Sequence, residues 1–423
     1  MSIVFGVMKI LWFSNCAIAN SQCNGSGSWL FAMKDILSKQ VELFNITDAN
    51  VKNIEYRESK EVKEYLIPKV ELSKNGIPSI RVINSIRQIV ERISPDVIHI
   101  WGLEKCWAKL FAFGYIEGNV LLEIQGVLSA CANMFWGGMT PEEVGKTHRL
   151  KELIKPSVKL EAQYADYVRK GLQEINLLNK FLHISTQSEW TRLQIKPYIK
   201  DGAIVYKTLR PIRREFYMAP KWQSPDHRAP VLFTSVGYNV PFKGMHVLLK
   251  ALRLITDKYP QVKLVIAGFN PNVPFYKANG YDRLLMDFIE EHHLVSNVVF
   301  PGRLEASQII EYLLNADVYV NPTFIESYSA ATAEALFLGV PSVLAYSGAL
   351  PNFKIEEDIA LYYSPLDYVD CASKIILLLE DCNSCKEFSK LSSLLMTERC
   401  SRDAVLKTQL NIYNKFLAFN ENN

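Results

Sequence analysis

Two glutamates, Glu326 and Glu334, stand on either side of a predicted helix start, where their carboxylates could bind the hydroxyl groups of a ligand. Far upstream, Lys243 precedes Gly244 and a second predicted helix, and its ammonium group is suited to a phosphate. Each residue also has a simpler interpretation, because loop glutamates, solvated helix glutamates and first-turn lysines are common. These residue types alone therefore leave both a ligand site and the simpler interpretations open.

The predicted elements around Glu326 and Glu334 place them at an edge where such ligands bind. An apolar run at residues 316–320 predicts a buried strand, and residues 330–338 predict a helix that ends at Gly339. Ligands of open α/β sheets bind at the carboxyl ends of the strands, and the free N–H groups of a helix start favour an anion. The N–H groups available there belong to Tyr328, Ser329 and Ala330. Ser329 is equally suited to cap the helix, which is compatible with anion binding.

The order of four motifs resembles the donor-sugar half of retaining GT-B glycosyltransferases of the glycosyltransferase group 1 (family 4) type. The motifs are Gly237-x5-Lys243-Gly244, residues 297–302, Glu326-x7-Glu334 and Ser347-Gly348-Ala349-Leu350-Pro351. The resemblance is dense from Val231 to Pro351 and thin over the first half of the chain. It implies an α/β fold of the GT-B type, in which two Rossmann-like parallel-sheet domains face each other across a cleft.

The resemblance also implies roles for individual residues. The implied catalytic residues are Glu326, close to the reacting carbon, and Lys243, at the departing phosphate. The implied donor contacts are Gly237, Gly302, Ser327, Tyr328, Ser329, Ala330 and, for the ribose hydroxyls, Glu334. The implied loop for the acceptor and the diphosphate consists of Gly25, Ser26, Gly27 and Gln125. Family members retain the anomeric configuration and generally use a UDP- or GDP-sugar without a cofactor or a metal, and this chain has no Asp-x-Asp motif.

Two positions depart from the family pattern. Gln125 stands where many members carry His, and it can bind a sugar hydroxyl but cannot accept a proton. Tyr238 stands where many members carry Arg, which removes one cation from the diphosphate site. These departures leave open a second interpretation, a GT-B protein with weakened catalysis that binds nucleotide sugars or acts as a scaffold. A dinucleotide-dependent oxidoreductase, suggested by Gly25-x-Gly27, is disfavoured because Leu30 stands where that fingerprint needs a third glycine.

Strand-like and helix-like runs alternate along the chain, which predicts parallel sheets flanked by helices. The predicted domains are residues 1–208, an acceptor-side Rossmann-like domain, and residues 230–398, a nucleotide-sugar-binding Rossmann-like domain. Residues 209–229 are predicted to form a proline-containing linker without helix or strand. Residues 399–423 contain a helix that could pack back on the first domain. His99 lies within a predicted strand, where it is more typical of a core histidine than of a catalytic base.

Composition favours a globular protein with two hydrophobic cores. The chain has 423 residues, of which 49% are hydrophobic and 22% are charged. Its 47 basic and 44 acidic residues give a net charge of +3, which does not indicate a nucleic-acid partner. Eight scattered cysteines predict a reducing compartment and a cytoplasmic location rather than a disulfide framework. The apolar run near the N-terminus is interpreted as the first strand of a nucleotide-binding fold and not as a signal sequence.

One less regular segment, residues 133–170, suggests contact with a membrane. It joins an aromatic patch, Met134-Phe135-Trp136, to a basic run that extends to Lys159. Such a stretch could hold the protein at the inner face of an anionic membrane that carries a lipid-linked acceptor. The alternative is a solvated helix over a small apolar cluster. By resemblance, bacterial family members of this size build surface polysaccharides such as capsule or lipopolysaccharide.

Overall fold

The structure, a computed structural model, describes residues 7–19, 27–69, 71–73, 75–226, 229–235, 240–268, 278–353 and 359–421. The chain folds into two compact units. The first unit comprises Met1–Val127, Gln173–Arg213 and Arg399–Asn423, and the second comprises Leu128–Leu172 and Arg214–Glu398. Each unit is built around one β-sheet.

Helices occupy most of the described chain outside the two sheets. In chain order they are α1 (Ser28–Leu37), α2 (Ile80–Ile93), α3 (Trp107–Ala112), α4 (Leu128–Asn133), α5 (Pro141–Lys146), α6 (Leu150–Ile154), α7 (Leu160–Leu178), α8 (Glu189–Ile195), α9 (Arg214–Tyr217), α10 (Met245–Lys258), α11 (Gly280–Glu291), α12 (Ala306–Leu314), α13 (Ala330–Leu338), α14 (Tyr368–Glu380), α15 (Cys382–Arg399) and α16 (Arg402–Glu421). In α2 the buried Ile83, Ile86 and Ile93 recur at helical spacing, so one face of that helix is apolar. None of the helices in the described ranges has both the length and the apolar character that crossing a membrane requires.

The sheet of the first unit has eight strands. They are β1 (Lys9–Phe13), β2 (Glu42–Ala49), β3 (Glu55–Glu58), β4 (Lys63–Pro68), β5 (Val97–Trp101), β6 (Val120–Ile124), β7 (His183–Thr186) and β8 (Ile204–Lys207). Their spatial order is β3-β4-β2-β1-β5-β6-β7-β8, and all neighbours are parallel except the pair β3 and β4. The strand order therefore reverses between β1 and β5.

The sheet of the second unit has six strands, and all of its neighbours are parallel. They are β9 (Val231–Thr234), β10 (Lys263–Ala267), β11 (Val298–Gly302), β12 (Val318–Asn321), β13 (Ser342–Ala345) and β14 (Leu361–Tyr363). The spatial order is β11-β10-β9-β12-β13-β14, so the order reverses between β9 and β12. Both sheets consist mainly of buried apolar strands that are covered by helices, as the alternating pattern in the sequence predicts.

Helix α16, near the end of the chain, contributes to the core of the first unit. Its Tyr413 and Phe416 are fully buried and pack in the same apolar cluster as Trp12 of β1. The indole Nε1 of Trp12 donates a hydrogen bond of 3.3 Å to the Tyr413 hydroxyl. The same hydroxyl lies 2.9 Å from Nδ1 of His99, whose ring stacks on Trp101 and is completely buried. Burial lowers the pKa of His99 to about 3, which is incompatible with a role as a base near neutral pH.

One local expectation from the sequence is wrong, and one pair of strands has no clear signal in the sequence. The region between β2 and α2 contains the strands β3 and β4, and β3 is short, polar and largely exposed at a sheet edge. The linker is not devoid of regular structure, because α9 forms within it and buries Phe216 completely. Trp222, farther along the same linker, is also buried and donates a hydrogen bond of 2.7 Å from Nε1 to the carbonyl oxygen of Ala316.

The segment Leu128–Leu172 belongs to the second unit, whereas the boundary drawn from the sequence at residue 208 grouped it with the first. Its Phe135 is fully buried and packs against Phe242, with ring centroids 6.2 Å apart. The carbonyl oxygen of Gly137 accepts a hydrogen bond of 2.9 Å from Nε2 of His246 in α10. The contacts of this segment in space, and not its place in the sequence, decide the unit that it joins.

Candidate active site

The candidate site of the second unit lies where the strand order of its sheet reverses. Strands β9 and β12 are neighbours at that point, and the connections that follow their carboxyl ends lead away in opposite directions. A crevice forms outside the strand ends at such a switch point, and ligands of open α/β sheets bind there. The connection after β9 leads to Lys243, and the connection after β12 leads to Glu326.

The structure brings Lys243 and Glu326 into direct contact. The ammonium Nζ of Lys243 lies 2.7 Å from Oε1 of Glu326. Only 16% of the lysine side chain and 19% of the glutamate side chain are exposed. Because the pair is neither fully buried nor freely solvated, both charges are held in place and can still be reached by a ligand.

A close contact between the two connections fixes the position of Lys243. Gly244, directly after it, has a φ of +73°, and a Cβ at this position would lie 1.9 Å from the carbonyl oxygen of Pro322. Nearby, the N–H of Phe324 donates a hydrogen bond of 2.8 Å to the carbonyl oxygen of Phe242. Glycine is therefore required after Lys243 for two reasons, its left-handed backbone and the absence of a side chain.

Asn321, at the end of β12, joins the strand to the start of α13. Its Oδ1 accepts a hydrogen bond of 3.1 Å from the N–H of Thr323, and its Nδ2 donates to the hydroxyls of Ser329 and Thr332 at 3.1 and 2.9 Å. Asn321 and Thr323 are buried polar residues that shape the loop, and neither is among the site residues predicted from the sequence. The available signal was a polar residue at the carboxyl end of an otherwise apolar strand.

The start of α13 has the features of an anion site. Ser329 caps the helix through a hydrogen bond of 3.3 Å from the N–H of Thr332, and it adopts a left-handed backbone with a φ of +65°. Such a conformation is unfavourable for a residue with a side chain, and it persists because the surrounding hydrogen bonds impose it. The first N–H groups of α13 have no partner within the helix, so they can donate to a bound phosphate.

Glu334 lies in the second turn of α13 and is only 5% exposed, so it is not the solvated helix residue that its spacing alone allowed. The Glu334 carboxylate interacts electrostatically with the buried hydroxyl of Tyr319 on β12. Burial raises the pKa of that hydroxyl, and the charges of Glu326 and Glu334 raise it further. The negative charges of both carboxylates therefore disfavour ionisation of the same buried tyrosine hydroxyl.

Comparison with known proteins finds relatives of this unit. Residues 221–392 match the family described as glycosyl transferases group 1. The match covers less than half of the chain, and the matching residues are called the group 1 domain below. The sulfoquinovosyl transferase SQD2 of Arabidopsis thaliana is 26% identical over 141 residues, which are 33% of this chain and 25% of that protein. The match thus spans a quarter of the length of this curated relative.

Solved structures match nearly the whole chain. Sucrose-phosphate synthase of Thermosynechococcus elongatus superposes over 97% of this chain and 99% of its own, with 13% identity and a TM-score of 0.71. Anabaena Alr3699/HepE in complex with UDP and glucose covers 96% of this chain and 98% of its own, with 15% identity and a TM-score of 0.64. These likenesses confirm the predicted GT-B fold class, two Rossmann-like parallel-sheet domains.

Within the group 1 domain, the connection after β13 supports the backbone of Glu326. The N–H of Ala349 donates a hydrogen bond of 2.7 Å to the carbonyl oxygen of Glu326, and the hydroxyl of Ser347 donates to the carbonyl oxygen of Thr323. Gly348 has a φ of +52°, and a Cβ there would lie 2.6 Å from the backbone nitrogen of Glu326. The motif at residues 347–351 therefore positions Glu326.

The other predicted donor residues of the group 1 domain occupy different environments. Ser327 and Ala330 are half-buried, whereas Tyr328 is buried and packs its ring 5.6 Å from that of Phe353. Gly302 ends β11, two strands away from β9, with a φ of +74° and, apart from its chain neighbours, no atom of the described residues within 4 Å of the position that a Cβ would occupy. Gly237 and Tyr238 lie outside the described residues.

The predicted residues of the first unit lie at the carboxyl edge of its sheet. Gly27 caps α1 with a φ of +104°, and Gln125 directly follows β6. The side-chain Nε2 of Gln125 is buried and has no hydrogen-bond partner among the described residues. Gly25 and Ser26 lie outside the described residues.

Three residues of this edge were not among the predicted site residues. Asn15 follows β1, and its Nδ2 donates a hydrogen bond of 3.4 Å to Oε2 of Glu104, which follows β5. The guanidinium of Arg210, which follows β8, lies 4.0 Å from the ring centroid of Trp29. These side chains and Gln125 give the edge amide, carboxylate and guanidinium groups, which suit a ligand rich in hydroxyls.

The described residues contain no group of three or more His, Cys, Asp and Glu side chains that could hold a metal ion. Cys382 is exposed, and Cys385 is buried with its thiol 2.9 Å from the carbonyl oxygen of Leu378.

Proposed function

We propose that this protein is a retaining glycosyltransferase that moves a sugar from a nucleotide-sugar donor to a saccharide or lipid-linked acceptor. The observation that carries this proposal is the contact between Lys243 and Glu326 at the switch point of the group 1 domain. A UDP- or GDP-sugar is the proposed donor, and the Anabaena structure that shares the fold is described as a complex with UDP and glucose.

In this proposal the second unit stabilises the departing diphosphate. The bond between the anomeric carbon and the phosphate oxygen breaks, and negative charge develops on the diphosphate. The ammonium group of Lys243 and the free N–H groups at the start of α13 are positioned before the reaction, so they need little reorganisation to stabilise that charge. The ion pair with Glu326 holds the lysine until the phosphate arrives.

Glu326 and Glu334 bind hydroxyl groups of the donor. The backbone of Glu326 is held by Ala349, so its carboxylate is oriented to accept hydrogen bonds from the hydroxyls of the transferred sugar. Glu334 accepts those of the ribose. The new bond forms between the acceptor oxygen and the anomeric carbon on the face that the diphosphate leaves, which retains the configuration. The acceptor proton passes to a phosphate oxygen, so the site does not need a base at Gln125.

The first unit binds the acceptor in this proposal. Asn15, Glu104, Gln125 and Arg210 supply hydrogen-bond donors and acceptors that match the hydroxyls of a saccharide. We further propose a cytoplasmic role in the synthesis of a bacterial surface polysaccharide. This finer assignment rests on the family resemblance and on the size of the chain.

The test is a panel of UDP- and GDP-sugars, each measured for thermal stabilisation of the protein and for release of nucleoside diphosphate. With the active donor, Glu326→Ala should abolish transfer and leave the fold intact. Glu334→Ala should weaken donor binding by about 1.5–3 kcal/mol, because a hydrogen bond to a charged group is lost. If both variants transfer sugar as well as the parent, the assignment is wrong. Donor binding without any release by the parent would instead support a binding protein with weakened catalysis.

A further inference from the structure

Helix α6 exposes a cluster of large apolar side chains. Leu150, Leu153 and Ile154 are 60%, 63% and 75% exposed. Their spacing of three and four residues places them on one face of the helix. Single exposed apolar residues are ordinary, but a contiguous cluster marks an interaction surface. The aromatic patch that first suggested a membrane contact is different, because its Phe135 is buried in the core of the second unit.

The chain around α6 is strongly basic. Residues 144–160 contain five Lys and Arg residues and a single acidic residue, Glu152, so their formal charge is +5 − 1 = +4. Glu152 is 2% exposed, and its Oε1 accepts a hydrogen bond of 3.0 Å from the N–H of Gly280. The one carboxylate of the segment therefore points inward, while Lys155 is exposed beside the apolar cluster.

Carboxylates of neighbouring elements are engaged in ion pairs. Glu142 pairs with Lys146 at 2.9 Å, and Glu161 lies 2.7 Å from Nε2 of His148. Asp287 of α11 pairs with Arg149. These pairs neutralise Lys146 and Arg149, so the positive charge next to Leu150, Leu153 and Ile154 comes from Lys155 and Lys159, and it is complementary to an anionic surface.

The segment is docked firmly on the second unit. Lys151 donates a hydrogen bond of 3.1 Å from Nζ to the carbonyl oxygen of Ala278. The carbonyl oxygen of Thr147 approaches Gly280 so closely that a Cβ there would lie 1.8 Å from it. Because the inward face of α6 is already used by these contacts, its apolar outward face is a separate surface of the folded unit.

We propose that Leu150, Leu153 and Ile154 insert at the headgroup boundary of an anionic lipid bilayer, where Lys155 and Lys159 contact lipid phosphates. Short amphipathic elements bind bilayers in this way, through buried apolar area and attraction to anionic headgroups. The proposal deepens the proposed function in one respect, since it would bring the enzyme to a lipid-linked acceptor. Lipid binding itself requires neither donor nor acceptor.

The experiment is co-sedimentation of the full chain with vesicles made of equal parts phosphatidylglycerol and phosphatidylcholine, or of phosphatidylcholine alone, without any nucleotide sugar. The parent should bind only the anionic vesicles. Binding should weaken when the ionic strength rises from about 0.01 M to about 1 M, because the screening length falls from about 30 Å to about 3 Å. No binding to anionic vesicles at low ionic strength would overturn the proposal.

Two variant pairs test the residues. L150S/L153S/I154S should lower the partition coefficient at least about tenfold, whereas L172S/V295S/L394S, which changes equally exposed apolar residues elsewhere, should leave it unchanged. K155E/K159E should lower it by about tenfold or more, and K386E/K390E on α15 should have little effect. Circular dichroism and thermal unfolding establish that each variant is folded. Equal binding by the parent and the α6 variants would refute the assignment.

Other occupants of this surface give different results. If sedimentation velocity shows that the parent is a dimer and that L150S/L153S/I154S is a monomer, α6 is an interface between copies and the lipid proposal is wrong. Release of nucleoside diphosphate with a soluble saccharide acceptor is measured separately. Sugar transfer without vesicle binding overturns only the lipid proposal, and vesicle binding without transfer by any donor counts only against the proposed function.

Discussion

Lys243 and Glu326 form an ion pair that positions both side chains and adds little to the stability of the fold. Each side chain is more than four-fifths buried, so the gain in attraction is offset by the cost of removing both charges from water. Such pairs contribute little net stability, and loss of one partner leaves the other charge poorly solvated. In the proposed function, a phosphate that arrives next to Lys243 gains a charge partner that is already held in place.

Removing the charge of Lys243 should therefore affect turnover much more than folding. Lys243→Met should lower kcat/KM for the active nucleotide sugar by about 100-fold or more, because one preorganised donor to the departing group is lost. Diphosphate release under steady-state conditions measures this.

Lys250→Met is the matched control. Lys250 in α10 pairs with Glu143 at 2.7 Å, with side chains that are 30% and 22% exposed, and it lies outside the proposed machinery. This variant should lose a comparable amount of stability and keep kcat/KM within about twofold of the parent. If both variants lose activity equally, Lys243 has no specific role at the diphosphate.

Three connections that follow parallel strands meet at the candidate site of the group 1 domain, and each contributes a different part of it. The connection after β9 carries Lys243, the connection after β12 carries Glu326 and the cap of α13, and the connection after β13 holds the backbone of Glu326. Their contact depends on the backbone at Gly244, which passes directly beside the carbonyl of Pro322. Packing of the connections, and not the strands alone, thus sets the distance between the charged groups.

A side chain at Gly244 should disrupt this packing. Gly244→Ala and Gly202→Ala both place alanine at a positive φ, +73° and +79°, which costs about 1–2 kcal/mol each. Only Gly244→Ala also collides with a backbone oxygen, since nothing lies within 4 Å of a Cβ at Gly202. Its extra loss of unfolding free energy should be about 1–3 kcal/mol, together with weaker donor binding. Urea unfolding and donor titration of the two variants measure the difference, and equal effects would contradict the close contact.

Each compact unit contains a deeply buried histidine that stays neutral in the folded protein. In the second unit, the carbonyl of Gly137 can only accept, so Nε2 of His246 carries the proton and Nδ1 accepts from the Tyr281 hydroxyl at 2.8 Å. Burial lowers the pKa of His246 to about 4, and in the first unit it lowers that of His99 to about 3. Protonation of either ring is thus coupled to unfolding of the unit that buries it.

The protein should lose stability as the pH falls from about 6.5 towards 4. In that range the unfolded chain binds protons at both histidines and the folded chain does not, so the free energy of unfolding falls with decreasing pH. The loss between pH 7 and pH 5 should be about 2 kcal/mol for each histidine, at about 1.4 kcal/mol per pH unit below the unfolded pKa of about 6.5. Urea unfolding followed by tryptophan fluorescence at several pH values measures it.

His246→Asn should lower stability at pH 7 and flatten the pH profile of the second unit. His293→Asn is the control, because His293 is exposed and its positive φ of +57° is tolerated by asparagine. An unchanged slope for His246→Asn would show that another group causes the acid sensitivity.

The sequence by itself determined the types of the main elements, the fold class and the residue types at the candidate site. Apolar runs such as residues 316–320 and the helix that ends at Gly339 are local patterns, and backbone preference and side-chain periodicity are local properties. The edge strand β3 has no recognisable sequence signal, because its exposed polar residues do not alternate with buried apolar ones. In the segment 209–229, several prolines interrupt the local pattern and obscure the short helix α9.

Only the tertiary structure decided which distant residues meet. Lys243 and Glu326 are 83 positions apart, and their contact exists because β9 and β12 become neighbours in the sheet. The same holds for the membership of Leu128–Leu172 in the second unit and for the inward turn of Glu152, which leaves α6 apolar and basic on its outer face. Such contacts arise from packing between segments that are far apart in the chain, and no local pattern encodes them.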